Sequence, residues 1–217
     1  MIDYFSAHSE EIWRYLWAHT WLSVVPVLIA LVVALPLGWL AARFPIVYPP
    51  LISLAGLLYT IPSLVLFVAM PGILGTKILS MVNVVVALTV YAIALLVRVV
   101  ADGLQSVPAD ANQAATAMGY TRVGRFFAIE LPLAVPVIAA GVRVATVSNV
   151  SLVAVATFIG TQQLGTLFDD GLKASVDRTS PLLIGIILAV VLALVLDTVI
   201  QLGTRALTPW RRAVRTR

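Results

Sequence analysis

The chain has 217 residues, of which 61% are hydrophobic and only 11% charged, with a mean hydropathy of +1.03 and a formal net charge of +4. That composition lies outside the range of soluble domains and predicts a polytopic membrane protein. Cysteine is absent, which excludes disulfides and thiolate metal sites. The two histidines, His8 and His19, fit no metal-ligand spacing and are expected at the surface or interface.

The opening MIDYFSAHSEEIW carries Asp3, Glu10 and Glu11 where a secretory leader would carry Lys or Arg, and no cleavage site follows a short apolar run. No cleaved leader is expected. Trp13, Trp17 and Trp21 recur every four residues beside Ile12 and Leu16. They form an aromatic stripe suited to lipid headgroups or, alternatively, to packing against the chain's own helices. Residues 1–19 are therefore expected to form an outer interfacial amphipathic segment.

A spanning helix needs roughly 20 apolar residues to cross a core about 30 Å thick. Five segments qualify, at about 20–42, 51–71, 79–101, 133–158 and 181–203. The expected fold is all-α and polytopic, a transmembrane domain over 20–203 with a basic cytoplasmic tail at 204–217. Pro26, Pro36, Pro62 and Pro136 mark kinks and are expected to point toward neighbouring helices, where freed carbonyls find partners. With the C-terminus inside, nine basic residues fall on the cytoplasmic side (Arg43, Arg98, Arg122, Arg125, Arg205, Arg211, Arg212, Arg215, Arg217) and four outside (Arg14, Lys77, Lys173, Arg178). That asymmetry predicts N-out, C-in, with Trp39 and Trp210 at the inner interface. The tail RRAVRTR is accounted for by anionic inner-leaflet lipid, so no nucleic-acid partner is implied.

The stretch 102–132 between the third and fourth spans then faces the cytoplasm. Pro108 and Asp110 open a helix that Gly119 closes. A second helix starts at Thr121 and is expected to end before Pro132. Ala111, Ala114, Ala115 and Met118 line up at helical spacing, a small apolar side suited to a groove on another protein.

QAATAMGYTRVGRFFAIELP resembles the cytoplasmic loop of ABC importer permeases of type I: Glu-Ala-Ala, three residues, Gly, nine residues, Ile, one residue, Leu-Pro. Here the pattern falls on Gln113, Ala114, Ala115, Gly119, Ile129, Leu131 and Pro132. The resemblance implies a two-helix coupling loop seated in a cleft of a cytoplasmic ATPase. Gln113 departs from the usual Glu and implies a neutral hydrogen bond in place of a charge contact. GILGTK at 72–77 lacks the spacing of a phosphate loop, so the ATPase is expected to be another chain. This chain is expected to bind no cofactor and to be no enzyme, with ATP and Mg²⁺ held by that ATPase.

From about Leu35 to Gly171 the chain is most similar to the osmoprotectant subfamily, through YTIPSL (59–64), ELPLAVPVIAAGVRVATV (130–147) and FIGTQQLG (158–165). The subfamily's glycine-rich run at the last place retains Gly160, Leu164 and Gly165 but has Thr161, Gln162 and Gln163 for small residues, altering pore shape or receptor contact at the outer end. The resemblance implies import of glycine betaine, carnitine or choline across a prokaryotic plasma membrane. It also implies an extracytoplasmic solute-binding protein and a second permease subunit, identical or sister. With capture assigned to the receptor, no aromatic cage is expected in the spans.

Tyr59, Thr60, Ser63, Ser148, Asn149 and Ser151 are the polar residues near mid-depth that line a path or bond between helices. Arg143 is the costliest residue in a span, and Asp197 on the last span is its expected partner by depth. Gate residue and structural pair both remain open for them. An amino-acid permease of the methionine type is the runner-up. An ion-driven secondary transporter would need repeats and paired membrane carboxylates. An intramembrane enzyme would need a catalytic constellation in the spans, which the sequence does not show.

Overall fold

The computed structural model describes residues 1–210 except residue 176. The part of the basic tail beyond residue 210 lies outside the described residues. A short helix α1 (Ile2–Ala7) precedes α2 (Ser9–Arg43), a single helix of 35 residues. Its length, about 52 Å at 1.5 Å per residue, exceeds the bilayer core. Then follow α3 (Tyr48–Thr60), α4 (Ser63–Leu74), α5 (Met81–Gln105), α6 (Ala109–Ala117), α7 (Arg122–Arg125), α8 (Leu131–Val155), α9 (Leu164–Lys173) and α10 (Thr179–Leu207). Among the described residues four continuous stretches are long and apolar enough to span, and the pair α3 and α4 passes the same test together, bent by 103° at its break as in a broken span or a re-entrant loop.

α2, α5 and α8 form the centre. On α2 the residues turned to α5 are small, Ala30, Ala34, Gly38 and Ala41, all buried. A Cβ at Gly38 would sit 2.6 Å from Val100, so the two backbones approach as only glycine permits. Gly141 of α8 is pressed against Val99 in the same way. Val27, Leu96, Val97, Val100 and Ile138 fill the inner half of this core. Leu22, Phe67, Leu88 and Val153 fill the outer half. A third cluster joins Ile12 and Tyr15 of α2 to Leu164 and Leu167 of α9 and to Ile184 and Leu192 of α10. The outward face of α10, with Leu183, Ile187, Val190 and Leu194, stays exposed and apolar. Lipid is the solvent such a face needs.

Several expectations change. Residues 9–19 are no separate interfacial segment but the first turns of α2: Trp13, Trp17 and Trp21 are exposed on one face, while Ile12, Tyr15 and His19 are buried on the other. The stripe is thus the exposed side of a helix whose opposite side packs toward α9. His19 is fully buried, against the surface placement expected for it, because its ring finds two hydrogen-bond partners inside; His8 is half-buried and stacks on Tyr4 with ring centroids 4.2 Å apart.

The second span does not merely kink. Pro62 holds Ile61 extended (φ −65°, ψ 129°), which ends α3, and α4 restarts in another direction. Of the four prolines only Pro26 is buried; Pro136 is half-buried, and Pro36 and Pro62 are exposed. Breaking the backbone and facing inward are separate properties.

The second loop helix does not stop before Pro132. It passes through a wide π turn, Phe126–Glu130, in which the Leu131 N–H bonds to the Phe126 carbonyl, and continues into α8. Pro132 has no N–H to give a carbonyl four residues back, and the wider turn absorbs that loss without ending the helix.

Candidate functional site: coupling loop, membrane cavity and outer latch

The loop between α5 and α8 folds as an elbow of two short helices. Pro108, extended at ψ 135°, caps α6. At its far end Gly119 has φ +85°, with Gly119 N–H bonded to Thr116 O and Tyr120 N–H to Ala115 O. That pair of bonds is the glycine-terminated helix end in which a left-handed residue satisfies the last carbonyls. The Thr121 hydroxyl accepts the Gly124 N–H at 3.1 Å and opens α7. Arg125 then ties the elbow together, its Nε donating to Glu130 Oε1 at 2.7 Å and its Nη1 to Thr116 Oγ1 at 2.9 Å. One guanidinium thus joins α6 to the π turn that leads into α8.

Gln113 and Ala114 are exposed, as are Met118, Tyr120, Val123 and Phe127, which form an apolar outer surface. Ala115 departs from the expected outer stripe: it is fully buried, on the inner side of α6. Ile129, Leu131 and Pro132 are half-buried where the loop joins the core.

Inside the membrane domain, a cavity of about 270 Å³ is lined by Tyr59, Ser63, Tyr91, Ser148 and Ser151, with Ile61 and Leu152. Four expected path residues, Tyr59, Ser63, Ser148 and Ser151, are brought together there. Two are not. Thr60 turns back to the Leu57 carbonyl at 2.7 Å, and Asn149 is buried between helices with its amide 3.5 Å from Ser23 O. Tyr91 was not anticipated; its only signal is being the one aromatic residue of α5. Its hydroxyl donates to the Ile61 carbonyl, freed where the second span breaks, and its ring meets Tyr59 edge to face at 5.9 Å. Two tyrosines share the wall, an aromatic element that the sequence reading did not foresee.

Arg143 and Asp197 form a two-pronged pair between α8 and α10, Nε to Oδ1 at 2.6 Å and Nη2 to Oδ2 at 2.7 Å. This is the planar fork-to-carboxylate geometry that a guanidinium favours. Their side chains are 35% and 29% exposed, at the flank of the bundle rather than in its core.

At the outer end, Gly160 (φ +83°) lets the chain turn after α8. Gln162 is exposed, whereas Gln163 is fully buried and caps α9: its Oε1 takes the Gly165 N–H at 2.5 Å, while the Thr166 hydroxyl accepts the Gln163 N–H. Gly165 leaves no room for a Cβ beside the Ala154 carbonyl. Gln163 Nε2 donates to that carbonyl at 3.3 Å, and Oε1 lies 2.9 Å from His19 Nδ1. On the other edge His19 Nε2 donates to Val150 O at 2.9 Å. One latch thus holds α2, α8 and α9, and residues 144 apart in the chain meet in it.

Comparison with known proteins agrees with this architecture. Residues 34–210 match the family described as binding-protein-dependent transport system inner membrane component. The chain is 34% identical to the osmoprotectant import permease protein OsmW of Salmonella typhimurium, over 88% of this chain and 89% of that protein. It is 30% identical to the glycine betaine/carnitine/choline transport system permease protein OpuCD of Bacillus subtilis, over 96% of this chain and 90% of that one. Among solved structures, an inward-facing form of the MetNI methionine ABC transporter superposes with a TM-score of 0.80 at 22% identity, over 93% of this chain and 98% of the other. That likeness shows the fold, a type I ABC importer permease. Such permeases are multi-pass plasma membrane proteins that work with an ATPase and a solute-binding protein. The chain belongs to the family of inner membrane components of binding-protein-dependent transport systems.

Proposed function

We propose that this chain is the membrane subunit of an ATP-driven importer of osmoprotectants of the quaternary ammonium class, such as glycine betaine, carnitine or choline. The observation that carries the reading is the near full-length similarity to permeases whose names specify those solutes. The methionine alternative rests on a structural likeness at 22% identity, which speaks for fold alone.

In the proposed mechanism a separate ATPase, which holds ATP and Mg²⁺, grips the exposed side of α6 around Gln113 and Ala114 and the apolar surface beyond Gly119. ATPase closure displaces α6, and Arg125, bonded to both Thr116 and Glu130, carries the movement into the π turn and α8. α8 bears Ser148 and Ser151 at the cavity, so a tilt of α8 reshapes the wall that the solute meets. Arg143 and Asp197 act as a brace that makes α10 move with α8, since both prongs of the guanidinium are taken up by one carboxylate. The outer latch, with Gly160, Gln163 and Gly165, fixes the extracytoplasmic end of α8, and exposed Gln162 lies where a solute-binding protein docks. The second wall of the path comes from another permease subunit, identical or sister, because one five-span bundle leaves the tyrosine and serine cavity open on its side.

The test is uptake of labelled glycine betaine by cells lacking other osmoprotectant systems and supplied with the cognate ATPase and binding protein, with or without this chain. Uptake that requires the chain and is blocked by carnitine or choline, but not by methionine, is expected. Chain-dependent uptake of labelled methionine with no betaine uptake would transfer the chain to the amino-acid branch.

A further inference from the structure

The cytoplasmic elbow borders a second, open cavity, of about 260 Å³, between the inner ends of α2 and α5 and the helices α6 and α7. Its lining combines Arg43, at the last turn of α2, with Arg122, Arg125 and Glu130 of the loop and π turn, and with Trp39 on the membrane side. Glu130 is already taken by Arg125. Arg43 and Arg122 form no ion pair with any of the described residues, so the cavity presents two uncommitted cations. Asn112 also lines the cavity, and its Oδ1, turned away from the open space, is buried without a hydrogen-bond partner among the described residues.

These features describe one ligand. Guanidinium groups select phosphate, and Trp39, an interfacial residue type that meets Phe126 edge to face at 6.3 Å, suits a cavity at headgroup depth. Leu104, Val107 and Ala42 supply an apolar flank. We propose that this cavity binds the phosphate of an anionic lipid headgroup of the inner leaflet, such as phosphatidylglycerol, and so ties the coupling loop to the membrane surface. Basic pockets at the cytoplasmic ends of spans are a recurrent way to hold such headgroups. The assignment is independent of which solute the protein carries. Free phosphate offers the arginines the same chemistry, and the test separates the two sources.

The experiment is equilibrium binding of radiolabelled dihexanoyl-phosphatidylglycerol to the purified permease–ATPase complex in uncharged detergent, with dihexanoyl-phosphatidylcholine and inorganic phosphate as competitors. Saturable binding that neither competitor displaces at equal concentration is expected. The double variant Arg43→Gln, Arg122→Gln should bind about thirtyfold more weakly, since each basic group near an anionic surface contributes about a fivefold factor. Arg43→Lys with Arg122→Lys, which retains the charges, should stay within about fivefold of the wild type. Lys77→Gln, on the opposite side of the membrane, should not differ from the wild type. Displacement by inorganic phosphate as effective as by the lipid overturns the lipid assignment in favour of a free-anion site. Unchanged binding in the glutamine pair, or complete loss in the lysine pair, overturns the site itself.

Discussion

Gly119 shows how one residue's backbone sets a local turn. A Cβ there meets nothing within 4 Å, so no side chain is excluded by space; the constraint is its φ of +85°. A non-glycine residue in that region costs about 1–2 kcal/mol and tends to unwind the end of α6. Gly119→Val should leave the protein in the membrane and its ATPase bound, while transport falls, as read by uptake alongside co-purification. His19 shows the opposite case, a residue whose surroundings decide its role. Truncation by His19→Ala removes the ring that bridges Gln163 and the Val150 carbonyl and opens a void among α2, α8 and α9. A loss of about 1–3 kcal/mol is expected in unfolding of the purified protein, with a smaller loss for His19→Gln, which can renew one of the bonds. For the ion pair, Arg143→Met alone strands the Asp197 carboxylate and should lower folded yield, and adding Asp197→Asn should restore it. Restored yield with normal uptake fits a brace; restored yield without uptake would give Arg143 a direct part in the solute path.

Among the elements, long apolar runs made the spans legible, because only a helix satisfies its backbone in lipid. Pro108, Gly119 and Thr121 marked the loop helices, since each acts through its own φ or side chain. What depended on distant partners was not legible. The contact of His19 with Gln163, the inward turn of Ala115 and the tyrosine pair across the break each need two elements already placed. The extent of the break at Pro62 was hidden as well: a proline announces a lost hydrogen bond, while a bend of 103° is set by how α3 and α4 each pack on α5. Pro132 taught the reverse, because a wide turn accommodated it within a continuous helix. At the α2–α5 crossing the close approach makes a direct prediction. Gly38→Leu should destabilise the folded protein by about 1–3 kcal/mol, the usual cost of overpacking, and Gly56→Leu, where a Cβ meets nothing within 4 Å, should not.

For the whole molecule, the account joins a cytoplasmic elbow to a membrane cavity along one continuous helix. α8 begins at the π turn clamped by Arg125, carries Arg143 to its brace on α10, lines the cavity with Ser148 and Ser151, and ends in the outer latch through Val150 and Ala154. A push at one end therefore has a mechanical route to the other without an intervening loop. The family pattern in the loop was readable because its spacing reflects local helix ends; the route through Arg125 was not, since Thr116 and Glu130 flank it from separate helical segments. The most direct measurement is the number of labelled betaine molecules imported per ATP hydrolysed in proteoliposomes containing this chain, its ATPase and its binding protein. Wild type is to be compared with Arg125→Gln. The account predicts that hydrolysis continues while import per ATP falls about tenfold or more. An unchanged ratio in a variant that still binds the ATPase would contradict transmission through the elbow.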